Sequence, residues 1–313
     1  MAKFPRILFL GQNDWANICN RIARAMNTHA GEIVVRVATV APHNLGYEED
    51  PLGWDAATTT ALIEWARTAD WLIAAGDGGY EYFFNILAFL HLPGENQRMA
   101  TMHPGSAYRA QHALFNQVDP QFFQRRFVAH DLYRFAAGQP NVVPFFGPAN
   151  LADICDDLGE PYERPTIAHS PSHRSTKGTA AILPVLEEFR GRANIDLIEG
   201  VSYAECVERR ERAQVFVDQI KPDIGGFGAS AVEAMASGCA VLADYHNIVP
   251  EVWKFIPRPP VVQVGNVNEL RLELDRLVAN RPALEELRRE SLAWAHANTA
   301  VAPLAQYWLK HLE

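Results

Sequence analysis

The chain has 313 residues, 48% hydrophobic and 21% charged, with a formal charge of −9 at pH 7. This is a folded composition that suits one large or two medium domains, and it argues against a dedicated nucleic-acid surface, although a local basic cleft stays open. No apolar run reaches the roughly 18 residues of a membrane span, and the N-terminus lacks the apolar core of a signal peptide. The four cysteines lack paired spacing. We therefore expect a reduced, cytoplasmic protein without a zinc site.

Apolar runs alternate along the chain with segments of helical periodicity. This alternation indicates parallel sheets covered by helices, and the runs fall into two series, so we expect two such domains. The predicted strands are Arg6–Leu10, Ile33–Thr39, Trp71–Ala75, Arg98–Met102, Arg126–Ala129 and Asn141–Pro144 in the first series, and Thr166–His169, Ile195–Ile198, Val215–Asp218, Ala240–Asp244 and Val261–Val264 in the second. The predicted helices include Trp15–Met26, Ala56–Arg67 and Ala180–Phe189.

A segment rich in proline and turn residues, Gly138–Arg164, separates the two series. We therefore assign residues 1–150 to the first domain and residues 151–298 to the second. The last segment, Thr299–Glu313, has an amphipathic helical pattern, and we expect it to pack back onto the first domain. Open parallel sheets bind ligands beyond the carboxyl ends of their strands, so two facing sheets would form a cleft.

The turn that ends the first strand contains two candidates for the acceptor side of that cleft. Gly11 would let the turn come close to a ligand, and Asp14 either contacts the ligand or caps the next helix, with capping favoured. After the strand Trp71–Ala75, the glycine turn A-A-G-D-G-G-Y offers Asp77 as its candidate side chain. Neither turn has the G-x-G-x-x-G fingerprint, and no G-K-[ST] follows a glycine loop, so a nicotinamide enzyme and a P-loop NTPase are disfavoured.

His103 follows the strand Arg98–Met102 in the turn H-P-G-S-A-Y-R. A histidine at the carboxyl end of a strand is well placed to hydrogen-bond a sugar, and the alternative is that it satisfies local backbone. Arg109, in the same segment, is either a surface charge or an anchor for an anionic acceptor.

The turn S-P-S-H-R-S-T-K-G-T follows the strand Thr166–His169 and precedes a helix. Its Arg174 and Lys177 would neutralise a phosphate or diphosphate, because a turn from strand to helix suits an anion site. The alternative is a solvated loop that happens to be basic.

The most informative stretch runs from Asp223 to Asp244 and predicts a glycine-rich turn, a short helix and a buried strand. The helix is almost entirely small or apolar, yet it contains Glu233. An unpartnered buried carboxylate is costly, so we expect a cationic neighbour or a ligand with hydroxyls. Small residues at positions 229, 230, 236 and 237 share its face and leave room for a ligand. Gly225, Gly226 and Gly228 permit close backbone approach, and the helix N-terminus offers N–H groups to an anion.

These motifs together resemble the retaining glycosyltransferases of the GT-B fold, in the family-four-like group also described as bacterial glycosyl transferases group 1. The Lys177-Gly178 pair matches, and G-G-F-G-A-S-A-V-E-A-M-A-S-G-C-A-V from Gly225 matches that group's E-G-F-G-x-x-x-x-E-A-M-A-x-G-x-P-V. The strings H-S-P-S-H-R-S-T-K-G-T, V-F-V-D-Q and H-P-G-S-A-Y-R are similar to a bacterial subgroup linked to surface polysaccharides. The matching is clear over about residues 165–255.

The resemblance implies two Rossmann-like domains facing across a cleft, with a nucleotide-sugar bound by the second. It implies that Glu233 holds the ribose hydroxyls, that Lys177 with Arg174 stabilises the diphosphate, and that His103 lies near the donor sugar. The glycine turn and helix start implied to hold phosphate and sugar are Gly226, Phe227, Gly228 and Ala229. Two positions depart from the family: Gly225 replaces its first Glu, and Ser172, which we keep as a donor-side candidate, stands where its Arg usually lies.

The function implied is retaining, metal-independent transfer of a sugar from a nucleoside diphosphate sugar to a hydroxyl acceptor. No cofactor is implied beyond that donor. The expected acceptor is a carbohydrate or a lipid-linked sugar in surface glycan synthesis, with the protein in the cytoplasm or peripheral to the inner face of the membrane. Three alternatives stay open: a transferase that glycosylates a hydroxylated nucleic-acid base through a basic first-domain cleft, an inactive nucleotide-sugar-binding protein, and a nucleotide-sugar epimerase.

Overall fold

The computed structural model describes residues 4–43, 45–76, 79–150, 154–159 and 161–313. The chain divides into two compact units. Unit 1 comprises Met1–Gly147 and Val301–Glu313, and unit 2 comprises Pro148–Ala300. Within the described ranges, no helix combines the length and the apolar character that crossing a membrane requires.

Each unit is built on one parallel sheet. The strands described in unit 1 are β1 (Ile7–Gly11), β2 (Val35–Thr39), β3 (Trp71–Ala75), β4 (Arg98–His103), β5 (Arg125–Ala129) and β6 (Val142–Phe145), and those in unit 2 are β7 (Thr166–His169), β8 (Asn194–Leu197), β9 (Val215–Val217), β10 (Ala240–Ala243) and β11 (Val262–Gln263). They lie in the orders β2-β1-β3-β4-β5-β6 and β11-β10-β9-β7-β8. Strands β1, β3 and β10 are buried along their whole length, as expected when helices cover both faces of a sheet.

Helices connect the strands and cover both sheets. Those described are α1 (Ile18–Ala30), α2 (Ala56–Thr68), α3 (Gly79–Leu90), α4 (Ser106–Val118), α5 (Arg174–Lys177), α6 (Thr179–Glu187), α7 (Tyr203–Glu211), α8 (Ala229–Ala236), α9 (Val267–Ala279), α10 (Arg281–Thr299) and α11 (Val301–Leu312). Local sequence explains their starts: Asp55 and Thr58 form a capping box on α2, and Ser202 accepts a hydrogen bond from an N–H of the first turn of α7.

The predicted strands are all present, with ends within two residues of the prediction. The predicted helix Trp15–Met26 is different, because Trp15–Asn17 forms a 3-10 turn and the α-helix begins at Ile18. Ala16 and Asn17 have left-handed backbone, with φ of 52° and 56°. The Asp14 carboxylate reaches past this turn and accepts the N–H groups of Cys19 and Asn20, both at 2.9 Å. Asp14 therefore caps the helix, which is the role that the sequence favours for it.

Helix α11 returns the chain to unit 1 and covers part of its sheet. It packs against α1, and the Trp308 side chain, 1% exposed, lies 4.3 Å from the Phe127 ring and 5.8 Å from the Phe145 ring between centroids. Arg125 Nε donates to the His311 carbonyl at 3.1 Å, which satisfies one of the last carbonyls of the helix. Helix α11 is therefore part of the core of unit 1.

The strand orders define a switch point in each sheet, where successive connections leave in opposite directions. In unit 1 this point lies between β1 and β3, and in unit 2 it lies between β7 and β9. The carboxyl ends of strands flanking a switch point form the usual ligand-binding crevice of an open parallel sheet.

We expect Trp308→Ala to lower the free energy of unfolding by about 3–5 kcal/mol, because it removes a large buried ring and leaves a cavity. Lys310→Ala, an exposed change on the same helix, should stay within about 0.5 kcal/mol of the parent. Urea unfolding followed by circular dichroism measures both variants, and a loss below about 1 kcal/mol for Trp308→Ala would mean that α11 does not stabilise unit 1.

Candidate functional site

A buried ion pair occupies the switch point of unit 2. Lys177 follows β7 and Asp218 directly follows β9, so both lie at the carboxyl edge of the sheet. Lys177 is 7% exposed, and its Nζ donates to Asp218 Oδ1 and, at 2.9 Å, to Ser230 Oγ. Asp218 Oδ2 accepts the Gly228 N–H at 2.8 Å. The ammonium is thus fixed at the N-terminus of α8.

Asp218 is a site residue that the sequence pattern does not single out. Burial alone would raise the pKa of its carboxyl, but the Lys177 ammonium and the hydrogen bonds from Gly228 and Ser230 outweigh burial and hold the pKa below its ordinary value. The carboxylate is therefore ionised at neutral pH and balances the lysine. The available signal was an acidic residue placed immediately after the apolar run Val215–Val217.

Two glycines around the pair are required by close contacts. A Cβ on Gly178 would overlap the Ile220 carbonyl, and φ there is +72°. A Cβ on Gly228 would lie 2.8 Å from Lys177 Nζ, which has little freedom to move because Asp218 and Ser230 hold it. The Lys-Gly pair and the glycine turn are therefore geometric conditions for the buried lysine.

The rest of the predicted donor-binding turn leads into α8. Gly226 is buried, and the Phe227 ring packs edge-on against Tyr245, with centroids 6.3 Å apart. Ala229 is the first residue of α8, where backbone N–H groups have no intrahelical acceptor. The turn thus presents backbone rather than side chains at the start of the helix.

Glu233 has a protein cation as its partner. Its Oε2 accepts a hydrogen bond from Arg210 Nη1 at 2.8 Å, and Tyr203 OH lies 3.5 Å from Oε1. The cationic neighbour, one of the two partners that the sequence left open, is therefore present. The expectation of room along this face is wrong near residues 236 and 237, because Ala236 and Ser237 are buried against protein. The Arg210 partner was not predicted because it lies on another helix, 23 residues earlier.

The departure at Gly225 has a physical reason. Its φ is +54°, and a Cβ there would overlap the Asn247 side chain. Asn247 Nδ2 donates to the carbonyls of Pro222 at 3.1 Å and Ile224 at 3.2 Å, and its N–H donates to the Gly225 carbonyl at 2.9 Å. Asn247 thus fills the space where a side chain at position 225 would begin. Asp223 is an acidic residue close to this position in the sequence, but its side chain is largely exposed beside Lys221.

A second pair of interacting side chains that the sequence analysis did not predict, a histidine and a carboxylate, follows β10. His246 Nδ1 is 2.6 Å from Oδ1 of the buried Asp244, and Gln263 Nε2 donates to the same oxygen at 3.1 Å. Half of the His246 side chain is exposed. It belongs to the loop that Asn247 ties to the glycine turn, so it lies at the same edge of the sheet as Lys177.

Arg174 and Ser172 lie on the outer part of the turn. The Arg174 side chain is 59% exposed and forms a two-pronged ion pair with Glu199, at 2.8 and 2.6 Å. In the part of the chain that the structure describes, no side-chain hydrogen bond joins Arg174 to Lys177, Asp218 or Ser230, and Ser172 is exposed. The solvated-loop interpretation therefore fits Arg174 but does not fit Lys177.

His103 belongs to a separate buried network in unit 1. Its Nε2 lies 2.8 Å from Asp119 Oδ2, and Tyr80 OH donates to Asp119 Oδ1 at 2.7 Å. Arg126 Nε donates to Asp119 Oδ2 at 3.3 Å, and the Tyr108 ring lies 4.4 Å from the His103 ring. The histidine at the end of β4 is held by an acidic side chain as well as by aromatic packing.

Each candidate for the acceptor side of unit 1 either contacts another part of the protein or lies outside the residues that the structure describes. A Cβ on Gly11 would lie 2.6 Å from the Ala75 carbonyl, so the close approach there is to β3. Arg109 Nη2 donates to Asp131 Oδ2 at 2.7 Å. Asp77 lies outside the described residues.

Comparison with known proteins gives matches in structure alone. No protein-family model matches the chain, and no curated protein sequence does. HepE from Anabaena, in complex with UDP-glucose, is 12% identical, covers 98% of this chain and 99% of its own, and has a TM-score of 0.66. A glycosyltransferase from Rickettsia africae is 9% identical at 99% and 98% coverage, also with a TM-score of 0.66.

A third similar structure covers less of the chain. A point mutant of TarM from S. aureus, in complex with fondaparinux, α-GlcNAc-glycerol and UDP, is 14% identical, covers 78% of this chain and 55% of its own, and has a TM-score of 0.55. Together with the two parallel sheets, these similarities show that the chain has the GT-B fold.

We expect Lys177→Met to lower the free energy of unfolding by about 3–5 kcal/mol, because it leaves the Asp218 carboxylate buried without its cation. The double change Lys177→Met/Asp218→Asn removes both charges and should recover most of the loss. Urea unfolding at pH 7 measures both, and a double variant as unstable as the single one would contradict the pairing.

The stability difference between the parent and this double variant has a defined pH dependence. Because the folded-state pKa of Asp218 lies below its unfolded value of about 3.9, its contribution is complete above that pH and is lost as the pH falls through the folded-state pKa. The stability of the parent relative to the double variant should therefore fall as the pH drops below about 4. Urea unfolding repeated at several acidic pH values measures it, and a difference that stays constant to low pH would contradict the assignment to Asp218.

Gly225→Glu restores the residue that the resembling family has at this position, yet we expect it to destabilise the protein by about 1–3 kcal/mol. The glutamate would need a left-handed backbone and the space of the Asn247 side chain. Adding Asn247→Gly should relieve the overlap, and Asn247→Gly alone is the control. Thermal unfolding measures all three, and an unchanged melting temperature for Gly225→Glu would show that the turn adapts freely.

Proposed function

We propose that the chain is a glycosyltransferase that moves a glycosyl group from a nucleoside diphosphate sugar to a hydroxyl acceptor. The observation that carries the proposal is the buried Lys177, fixed at the start of α8 at the switch point of a parallel sheet. An ammonium and a helix N-terminus both attract an anion, so the arrangement suits a diphosphate. The fold shared with HepE, which has been seen with UDP-glucose, supports a nucleotide sugar.

The chemical role follows from the donors of the site. Breaking the bond between sugar and phosphate loads negative charge onto the departing diphosphate. Lys177 has three N–H donors, of which Asp218 and Ser230 take two, so the third is proposed to bind a phosphate oxygen. The first amides of α8 add further donors. Because Asp218 orients the ammonium before the reaction, these donors stabilise the developing charge without reorganising.

Retention of configuration and independence from metal are the finer part of the proposal and rest on the resemblance. In that scheme the departing phosphate oxygen takes the proton of the acceptor on the same face of the sugar. The chain then needs no dedicated base, and Lys177 with the α8 amides compensates the charge. We propose that Glu233 holds the ribose hydroxyls while Arg210 positions its carboxylate.

The acceptor is proposed to be a carbohydrate or a lipid-linked sugar that enters a surface glycan, on the cytoplasmic side of the membrane. The alternative acceptor, a nucleic-acid base, is disfavoured because the arginines of unit 1 that would have to form a basic cleft are already bound to other groups of the protein or buried. Arg109 is paired with Asp131, Arg125 donates to the His311 and Gln124 carbonyls, and Arg126 is fully buried. Arg134 lies over the Phe135 ring at 4.6 Å.

The test is a thermal-shift screen of UDP-, GDP-, ADP-, CMP- and dTDP-sugars, followed by product analysis. One class of nucleotide sugar should raise the melting temperature, because a ligand that binds the native state stabilises it. Lys177→Met/Asp218→Asn, the folded variant without the ammonium, should lose about 10–100-fold in turnover. Arg210→Met/Glu233→Gln should chiefly weaken donor binding.

The outcomes separate the alternatives. A new glycoside bond with donor consumption supports transfer, whereas a new sugar isomer formed without acceptor would identify an epimerase. Donor binding without turnover over a broad acceptor panel would identify a binding protein. The proposal fails if no nucleotide sugar binds, or if both double variants keep normal affinity and rate.

A further inference from the structure

Unit 1 exposes an aromatic cluster at the carboxyl edge of its sheet, and no part of the proposed donor site uses it. We call it the Trp15 platform, and it consists of Trp15, His43 and Tyr47. Trp15 follows β1, and the other two follow β2, so the platform borders the switch point between β1 and β3. Ring centroids are 6.3 Å apart for Trp15 and His43, and 5.1 Å apart for His43 and Tyr47. Trp15 is 47% exposed.

The backbone beside Trp15 has an unfavourable conformation. Ala16 and Asn17 are consecutive non-glycine residues with left-handed backbone, at φ of 52° and 56°. Each such residue costs of the order of 1 kcal/mol and persists where the surrounding structure enforces it, commonly at ligand sites. Asp14 provides that enforcement, because its carboxylate anchors the start of α1 just beyond the turn.

Hydrogen bonds tie the two loops of the platform together. Asn17 Nδ2 donates to the Glu48 carbonyl at 3.3 Å, and the Asp50 N–H donates to Asn20 Oδ1 at 3.0 Å. Glu48 and Asp50, in the loop after β2, are thereby fixed to the turn that holds Trp15 and to the start of α1.

The His43 ring is neutral and has a defined tautomer. The Leu45 N–H donates to His43 Nδ1 at 3.2 Å, which assigns the proton of the neutral imidazole to Nε2. Burial lowers the pKa of His43, in spite of the opposing effect of Glu49, so this neutral form prevails near neutral pH. The platform is therefore a fixed aromatic surface with an N–H donor beside it.

The charges around the platform select among its possible ligands. Arg21, 2% exposed, lies 5.8 Å from the centre of the Tyr47 ring and is too buried to reach a bound polyanion. The more exposed Arg24 and Arg36 are ion-paired with Glu48 and Asp50, at 3.0 and 2.5 Å. Single-stranded nucleic acid and anionic bilayers both require basic side chains near the aromatic rings, and these two arginines are already neutralised. A sugar ring suits the platform better, because its C–H face packs on an aromatic face while its hydroxyls use adjacent polar groups.

We propose that the Trp15 platform binds a neutral sugar ring of the acceptor, so that the acceptor substrate is a glycoside. The role of this sugar as acceptor rests on the proposed function, but its binding to the platform can be measured without any donor. Trp15 supplies the stacking surface, and His43 Nε2 supplies a hydrogen-bond donor to a ring hydroxyl.

The experiment is saturation-transfer NMR on the full chain with methyl glucosides, galactosides and N-acetylglucosaminides in both anomeric forms. At least one glycoside should bind the parent protein. Trp15→Ala should weaken that binding about 10-fold or more, and Trp15→Phe should keep most of it because it retains an aromatic face. Phe89→Ala is the matched control: Phe89 is 76% exposed but lies at the end of α3, at the opposite edge of the sheet.

Each outcome decides the proposal. It is overturned if no glycoside binds, if Trp15→Ala binds as the parent does, or if Phe89→Ala loses binding equally. It is also overturned if oligo-dT or phosphatidylglycerol vesicles bind in a Trp15-dependent manner while glycosides do not. The donor thermal-shift screen is independent, so loss of the platform and loss of the transferase assignment are distinguishable. Far-UV circular dichroism confirms that each variant is folded.

Discussion

The buried ion pair between Lys177 and Asp218 is the constraint on which the arrangement at the carboxyl edge of the unit 2 sheet depends. An ammonium that has left water needs a carboxylate. Here Asp218 directly follows β9, and Lys177 ends the short helix α5 that follows the adjacent strand β7. Their distance can be held only if β7 and β9 keep their register and α8 begins where Gly228 can donate to the same carboxylate. Gly178 and Gly228 are the two positions at which any side chain would disturb that geometry.

Glu233 and Gly225 are the two positions of this turn and helix that correspond to acidic residues of the family that the sequence resembles. Glu233 is retained, but Arg210 holds one of its oxygens inside the unit. At position 225 the left-handed backbone and the Asn247 side chain leave no space for a longer residue. The loop after β10 thus fills this space with the Asn247 side chain, which donates to the carbonyls of Pro222 and Ile224.

Much of the fold is predictable from the sequence, because short, continuously apolar runs such as Trp71–Ala75 have few alternatives to a buried strand. Lys177 is also predictable, since a turn between a strand and a helix is a local feature. Asp218 and Arg210 are not, because they meet their partners 41 and 23 residues away in sequence, and only the tertiary structure sets those distances. The left-handed pair Ala16–Asn17 escapes prediction for another reason: both residues lie in a segment whose apolar periodicity predicts a helix, and the Asp14 anchor overrides that pattern.

The placement of α11 has a consequence for how the protein is made. Unit 1 is interrupted in sequence by unit 2, and Val301–Glu313 leaves the ribosome only after Pro148–Ala300 has been synthesised. Until then the rings of Phe127 and Phe145 lack the Trp308 side chain that covers them in the finished protein. Nascent unit 1 therefore exposes an apolar surface throughout the translation of unit 2, a period in which chaperones have a binding target and premature termination yields an aggregation-prone product.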